Sequence, residues 1–142
     1  MRIIVAGSSG LVGSALIPFL TAAGHTVTRL VRGTTKKSDN TIAWDPDQGH
    51  IDAAALEGAD AVIHLGGAGI ADRRWSPKYK ALIRSSREHS TKLLSETMAR
   101  LTKPPKVFVC ASAIGVYGEQ GDREVDESSE LGQGFLADVG RV

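Results

Sequence analysis

Three glycines stand at a spacing that could do chemistry, in the run Gly7-Ser8-Ser9-Gly10-Leu11-Val12-Gly13. An apolar, β-branched run from Ile3 to Ala6 precedes them and a helical pattern follows. In that context the first glycine permits a sharp turn, and the middle one lets backbone amides approach a diphosphate. The last lets a helix lie close to its strand. The helix N-terminus adds N–H groups and the positive end of its dipole, so the turn suits an anion, and Ser8 and Ser9 can add hydroxyl donors. The competing reading is an ordinary glycine-containing turn between a strand and a helix.

About twenty residues beyond such glycines, at the end of the second strand, dinucleotide sites carry an acid that accepts hydrogen bonds from the ribose hydroxyls. Here that place holds Arg32. A guanidinium attracts a 2′-phosphate and offers a ribose diol no acceptor, so the expected cofactor is NADP(H) rather than NAD(H). Lys36 and Lys37 follow and could assist, or form a solvated loop face with Arg32. Asp45, after the third strand, is placed to accept from an adenine amino group, and Trp44 beside it reads as a packing residue.

The elements that must position these residues alternate short apolar runs with longer helical patterns, the mark of parallel strands joined by crossover helices. Strand patterns cover Ile3 to Ala6, Thr26 to Arg32, weakly Ile42 to Trp44, then Ala61 to Leu65 and Val107 to Ala111. Leu11, Val12, Ala15, Leu16, Phe19 and Leu20 recur at helical spacing before Gly24, and Pro18 inside them predicts a kink or a shortened helix. A short helix is expected around Ala53 to Leu56. A long one is expected from the Ser76-Pro77 start to Arg100, with Tyr79, Leu82, Ile83, Ser86, Leu93, Leu94, Met98 and Leu101 along one face. Beyond Gly118 the chain is rich in Gly, Asp, Glu and Ser and reads as loop. The expected fold class is α/β, a Rossmann-type doubly wound parallel sheet of about five strands in three αβα layers. All 142 residues would form one cofactor-binding domain.

Bulk properties narrow the function classes. With 142 residues, 42% of them hydrophobic, the chain can bury one sizeable core. The net charge of +1, with acids and bases interspersed, argues against a nucleic-acid partner. The single cysteine, Cys110, lies in an apolar run, reads as a small buried hydrophobe and fits a reducing compartment. No apolar stretch approaches the roughly 18 to 20 residues that span a bilayer, so no membrane partner is expected and the localisation expected is cytoplasmic.

The glycine turn, Asp45, His64-Leu65-Gly66-Gly67-Ala68 after the fourth strand pattern and Ser112-Ala113-Ile114-Gly115-Val116-Tyr117-Gly118 after the fifth together resemble the extended short-chain dehydrogenases, the NAD-dependent epimerase/dehydratase family. Trp44-Asp45-Pro46, Arg74-Trp75-Ser76, Ser86-Arg87 and Gly134-Phe135-Leu136-Ala137 are similar to an atypical branch known as nucleoside-diphosphate-sugar epimerases. The likeness covers the whole chain but only the first half of a family member. It implies that Leu65, Gly66, Gly67 and Ala68 line the cofactor, with Gly7, Ser8, Ser9, Gly10, Leu11, Val12, Gly13, Arg32 and Asp45. It also implies that Ser112 polarises a substrate carbonyl or alcohol, with Tyr117 the second catalytic candidate. Ser112 lies five residues before Tyr117, where many relatives have four, and Ala113 holds the nearer place. His64 is read as a strand residue satisfied by the core rather than as a base.

The family's Tyr-x-x-x-Lys pair, in which the lysine prepares the phenol to exchange a proton as hydride moves, is absent. Tyr79 is followed four residues on by Ile83 and Tyr117 by Gly121, and no lysine follows Lys106. Leu136 and Gly140 stand about where the pair is expected. Two functions therefore remain open. One is an NADP(H)-dependent oxidoreductase or sugar-nucleotide epimerase-like protein acting on a small molecule, this chain supplying its cofactor half. The other is a non-catalytic NADP(H)-binding sensor or regulatory module. A purely structural glycine turn is the third reading, and a homo-oligomer is one way to cover the exposed edge expected at the last strand.

Overall fold

The computed structural model describes residues 1–33 and 38–141. They fall into two compact units, Met1–Cys110 and Ala111–Val142. Lys36 and Lys37 lie outside the described residues.

In the first unit six strands form one sheet in the order β4-β3-β2-β1-β5-β6, comprising β1 Arg2–Ala6, β2 Thr26–Arg32, β3 Thr41–Asp45, β4 His50–Ile51, β5 Ala61–His64 and β6 Val107–Cys110. All neighbours are parallel except β3 and β4. The sixth strand, absent from the sequence expectation, is the two-residue β4. It pairs Trp44 with Ile51 and Asp45 with His50, and two residues are too few for any alternation to register.

Successive elements leave β1 in opposite directions. The chain goes by helix α1, Leu11–Ala22, to β2 on one side and arrives later at β5 on the other. At such a switch point the loops after the strands diverge and open a crevice at their carboxyl ends. Ala6, Leu30 and His64 lie level there, as do Arg32 and Trp44.

The strands at the centre are covered on both faces. Ile3, Val5 and Ala61 pack with Ile17 of α1, while Ile4, Val62, Trp44, Leu30 and Ile42 pack with Leu94 and Met98 of α2, Pro77–Met98. This gives the expected three layers. It also explains the continuous apolar runs, since strands buried on both faces need no polar side. Ser76 caps α2, its hydroxyl accepting from the Tyr79 amide, and Pro77 fits the first turn, where no N–H is needed. A 3-10 turn spans Ala53–Leu56, with the Asp52 carboxylate accepting from Ala54 and Ala55.

Three expectations change. Helix α1 runs on through Pro18 to Ala22 rather than stopping short; Pro18 lies on its exposed side, where a lost backbone bond can be met by water. Leu82 is exposed, because the buried stripe of α2 follows Tyr79, Ile83, Ser86, Ser90, Leu94, Thr97 and Met98. Cys110 is exposed rather than buried, as are Val107, Phe108 and Val109, since β6 is the last strand of the sheet.

The second unit holds a 3-10 turn, Ile114–Tyr117, and helix α3, Phe135–Gly140. They meet through glycines. A Cβ on Gly115 would lie 3.2 Å from Leu136 Cβ, and one on Gly140 would lie 3.0 Å from Val116 Cβ. The Gly132 amide donates to Val116 O at 2.9 Å, and Arg141 bonds Asp138 at 2.8 Å and also the Gly132 carbonyl.

Candidate cofactor site

The turn between β1 and α1 is made by backbone approach. Gly7 has φ +77°, a conformation that costs other residues strain, and a Cβ there would fall 2.6 Å from the Leu65 carbonyl carbon. A Cβ on Gly13 would lie 2.8 Å from Ser8 Cα and closer still to Gly7 O. The Gly10 amide closes the turn onto Gly7 O at 3.1 Å, and the first helical bond, Ser14 N to Gly10 O, follows at 2.9 Å. No side chain caps Gly10, and the first turn of α1 carries no acidic residue. The N-terminus of α1 thus presents amide dipoles with no built-in anion.

These residues edge a cavity of about 490 Å³ at the carboxyl ends of the strands. Its wall is made by Gly7, Ser8, Ser9 and Gly10, by Leu30, Val31 and Arg32 of β2, and by Trp44 of β3; His64 to Ala68 and Leu82, Ser86 and Ser90 of α2 complete it. The structure therefore brings together nine of the residues singled out for the cofactor: Gly7, Ser8, Ser9, Gly10, Arg32, Leu65, Gly66, Gly67 and Ala68. Leu11 and Val12 stand outside the wall and are exposed, and Gly13 is buried behind the turn. The Asp45 carboxylate holds the turn after β3: its Oδ1 accepts from the amides of Asp47 at 3.0 Å and Gln48 at 3.2 Å. Asp45 is not among the residues that wall the cavity. Trp44 is buried in the core, its indole edge-on to the His64 ring at 6.0 Å.

The loop after β5 is held by a buried polar network. His64, 2% exposed, is its centre. The Gly66 amide donates to His64 Nδ1 at 3.3 Å, so that nitrogen is the acceptor and Nε2 carries the hydrogen. Nε2–H then donates to Ser90 Oγ at 2.8 Å, and Ser90 donates to Ser86 O at 2.6 Å. One turn earlier Ser86 Oγ accepts from the Ala68 amide at 2.9 Å and donates to Ile83 O at 3.1 Å. Arg87 Nη1 donates to the Ala68 carbonyl at 3.1 Å and to Ile83 O at 2.9 Å. Ser86, Arg87 and Ser90 thus fasten the loop to α2. Burial first, then the charges of Arg87 and Arg32, lower His64 from 6.5 to about 4, and the imidazole is neutral at ordinary pH. Serines at helical spacing, facing a strand-end histidine, are the only trace this network leaves in the sequence.

At the cavity's rim Arg32 is half exposed, with Nη1 3.9 Å from Asp47 Oδ2. His89 of α2 donates from Nδ1 to Asp47 Oδ1 at 3.0 Å. Neither Asp47 nor His89 figures in the sequence reading, for they stand 42 residues apart and neither belongs to a motif. Ser112 and Tyr117 belong to the second unit, Ser112 exposed ahead of the 3-10 turn and Tyr117 at that turn's end. Tyr79 is spent on structure, its hydroxyl donating to the Gly69 carbonyl at 2.6 Å.

Comparison with known proteins gives this geometry its context. Residues 3–134 match the model of the NAD dependent epimerase/dehydratase family. An epimerase family protein of Mycobacterium bovis is 44% identical over 137 residues, covering 96% of this chain and 44% of that protein. The crystal structure of human epimerase family protein SDR39U1 with NADPH superposes with a TM-score of 0.83 at 31% identity, over 98% of this chain and 46% of that one. A nucleoside-diphosphate sugar epimerase of Corynebacterium glutamicum gives 0.82 at 37% identity, over 99% of this chain and 29% of that one. The chain spans less than half the length of these relatives. Glycine turn, switch-point cavity and matched segment agree, and the chain belongs to the NAD dependent epimerase/dehydratase family.

Proposed function

We propose that the chain binds NADP(H) in the cavity at the carboxyl ends of β1, β2 and β5, as the cofactor half of an oxidoreductase or sugar-nucleotide epimerase-like protein. One observation carries the reading: the uncapped N-terminus of α1 and the Arg32 guanidinium edge the same cavity. The two anionic parts of NADP(H) are a diphosphate and a 2′-phosphate, and these are the groups that suit them. The backbone approach that excludes a Cβ at Gly7 and Gly13 supports the fit. So does the human relative, whose crystal structure holds NADPH.

When bound, the nicotinamide ring supplies hydride chemistry. The chain's own residues bind and orient. Amides at Ser8 and Ser9 and the start of α1 hold the diphosphate, and Arg32 holds the 2′-phosphate. Leu65 to Ala68 form a wall whose shape the neutral His64, with Ser86 and Ser90, maintains. Ser112 is assigned the hydroxyl that polarises the oxygen of a small-molecule substrate, with Tyr117 as the second hydroxyl.

A non-catalytic sensor is the second reading, and one observation favours it. Gly140, which stands where the resemblance expects the lysine, packs against Val116 so closely that even a Cβ would lie 3.0 Å away. A side chain could enter there only if Val116 gave way by a few tenths of an ångström.

Titration of intrinsic fluorescence with NADPH and NADH tests the binding claim. Tighter response to NADPH, lost in Arg32→Asp, is expected; equal and weak responses refute it. Incubation with sugar nucleotides and aldehydes, following NADPH absorbance, separates enzyme from sensor. Turnover abolished by Ser112→Ala establishes the enzyme.

A further inference from the structure

We propose that Asp47 is a coenzyme-discriminating residue. Its carboxylate competes with a 2′-phosphate for Arg32 and accepts from the hydroxyl of an unphosphorylated ribose, so that the cavity takes NAD(H) as well as NADP(H). The inference rests on the cofactor reading above.

The sequence shows a basic residue, Arg32, where an acid is the usual ribose partner. The tertiary structure returns an acid to that spot from another element. Arg32 and Trp44 are level in the parallel pairing of β2 with β3, so the turn that follows Trp44 emerges beside the guanidinium. Asp45 Oδ1 fixes that turn by accepting from the Asp47 and Gln48 amides, and the Gly49 amide closes it onto Pro46 O at 3.4 Å.

The Asp47 carboxylate is divided between two partners. Oδ1 takes a hydrogen bond from His89, while Oδ2 stands 3.9 Å from Arg32 Nη1, too far for a hydrogen bond and near enough for coulombic attraction. Arg32 is therefore held loosely and can turn to a phosphate. A 2′-phosphate arriving there meets the Asp47 charge within a few ångströms, well inside the screening length of about 10 Å at 0.1 M salt. A ribose hydroxyl meets an acceptor instead. His89, by holding Oδ1, draws Asp47 away from Arg32 and moderates both effects.

Adenosine 2′,5′-bisphosphate and AMP carry the difference at stake without the nicotinamide. Calorimetric titration of the full chain with each, in wild type, Asp47→Asn, Asp47→Ser, His89→Ala and Arg32→Gln, reads the ratio of the two dissociation constants. Arg32, Asp47 and His89 are all exposed, and thermal melts of the variants check that they fold as wild type does. At about 50 mM salt both Asp47 variants are expected to shift the ratio about three- to fivefold toward the bisphosphate. His89→Ala is expected to shift it the other way, and both effects should shrink at about 0.5 M salt. A ratio unchanged within about 1.5-fold in the Asp47 variants, while Arg32→Gln still collapses it, overturns the role of Asp47 and leaves the cofactor reading intact. If wild type binds neither ligand, or if Arg32→Gln leaves the ratio alone, the cofactor reading falls and this proposal falls with it.

Discussion

Acidification should loosen the unit that carries the cavity, and His64 sets the size of the effect. In the folded chain its Nδ1 accepts from the Gly66 amide and its Nε2–H donates to Ser90, so a second proton would have to enter at Nδ1, against an N–H. Burial, reinforced by Arg87 and Arg32, puts its folded pKa at about 4, against 6.5 for a free imidazole. A lowered folded pKa means that the unfolded chain binds the proton first. The stabilisation is therefore complete above about pH 6.5 and is lost as pH falls toward 4. Linkage between those two values gives a loss of about 2 kcal/mol from pH 7 to pH 5, and at most about 3 kcal/mol over the whole range. Urea unfolding at pH 7, 6 and 5 measures it, comparing wild type with His64→Gln, which cannot titrate. Subtracting the variant's slope removes the contributions of His25, His50 and His89. Slopes that agree within about 0.5 kcal/mol over that interval would refute the assignment of a neutral, doubly bonded imidazole.

Two further outcomes follow from the same packing. Ser90→Ala leaves the buried His64 Nε2–H without its acceptor and should cost about 1–3 kcal/mol in urea unfolding at pH 7; a loss below about 0.5 kcal/mol would mean that the histidine finds another partner. Gly13→Ala should gain up to about 1 kcal/mol of helix propensity but lose about 1–3 kcal/mol by forcing a methyl against Gly7 and Ser8 backbone. The expected net result is a less stable chain with at least about tenfold weaker NADPH binding, whereas Gly10→Ala, whose Cβ would touch only Gly7 O at 3.4 Å, should leave stability nearly unchanged.

Much of the scaffold was legible because its signals are local. The strand pattern over Thr26 to Arg32, the short helix at Ala53 to Leu56 and the Ser76-Pro77 start of α2 all stand where spacing, caps and prolines put them. The Gly-x-x-Gly-x-x-Gly run names its own geometry, since only a residue without Cβ survives at Gly7 and Gly13. Four parts of the reading changed for want of context, and of the kink or shortened helix expected at Pro18 it is the shortening that is overturned. Pro18 did not shorten α1, β4 was too brief to leave a pattern, and Leu82 and Cys110 turned outward because their surroundings, not their hydropathy, decide burial.

By itself, then, the sequence determined a wound α/β chain with an anion-seeking turn after its first strand, because backbone torsion, capping and hydrophobic period act over a few neighbouring residues. Only tertiary structure decided which side chains share the cavity. His64 meets Ser90 across 26 residues, and Asp47 meets His89 across 42. Such pairings are set by strand order, register and the face that α2 presents to the sheet, and periodicity along one element carries no information about them.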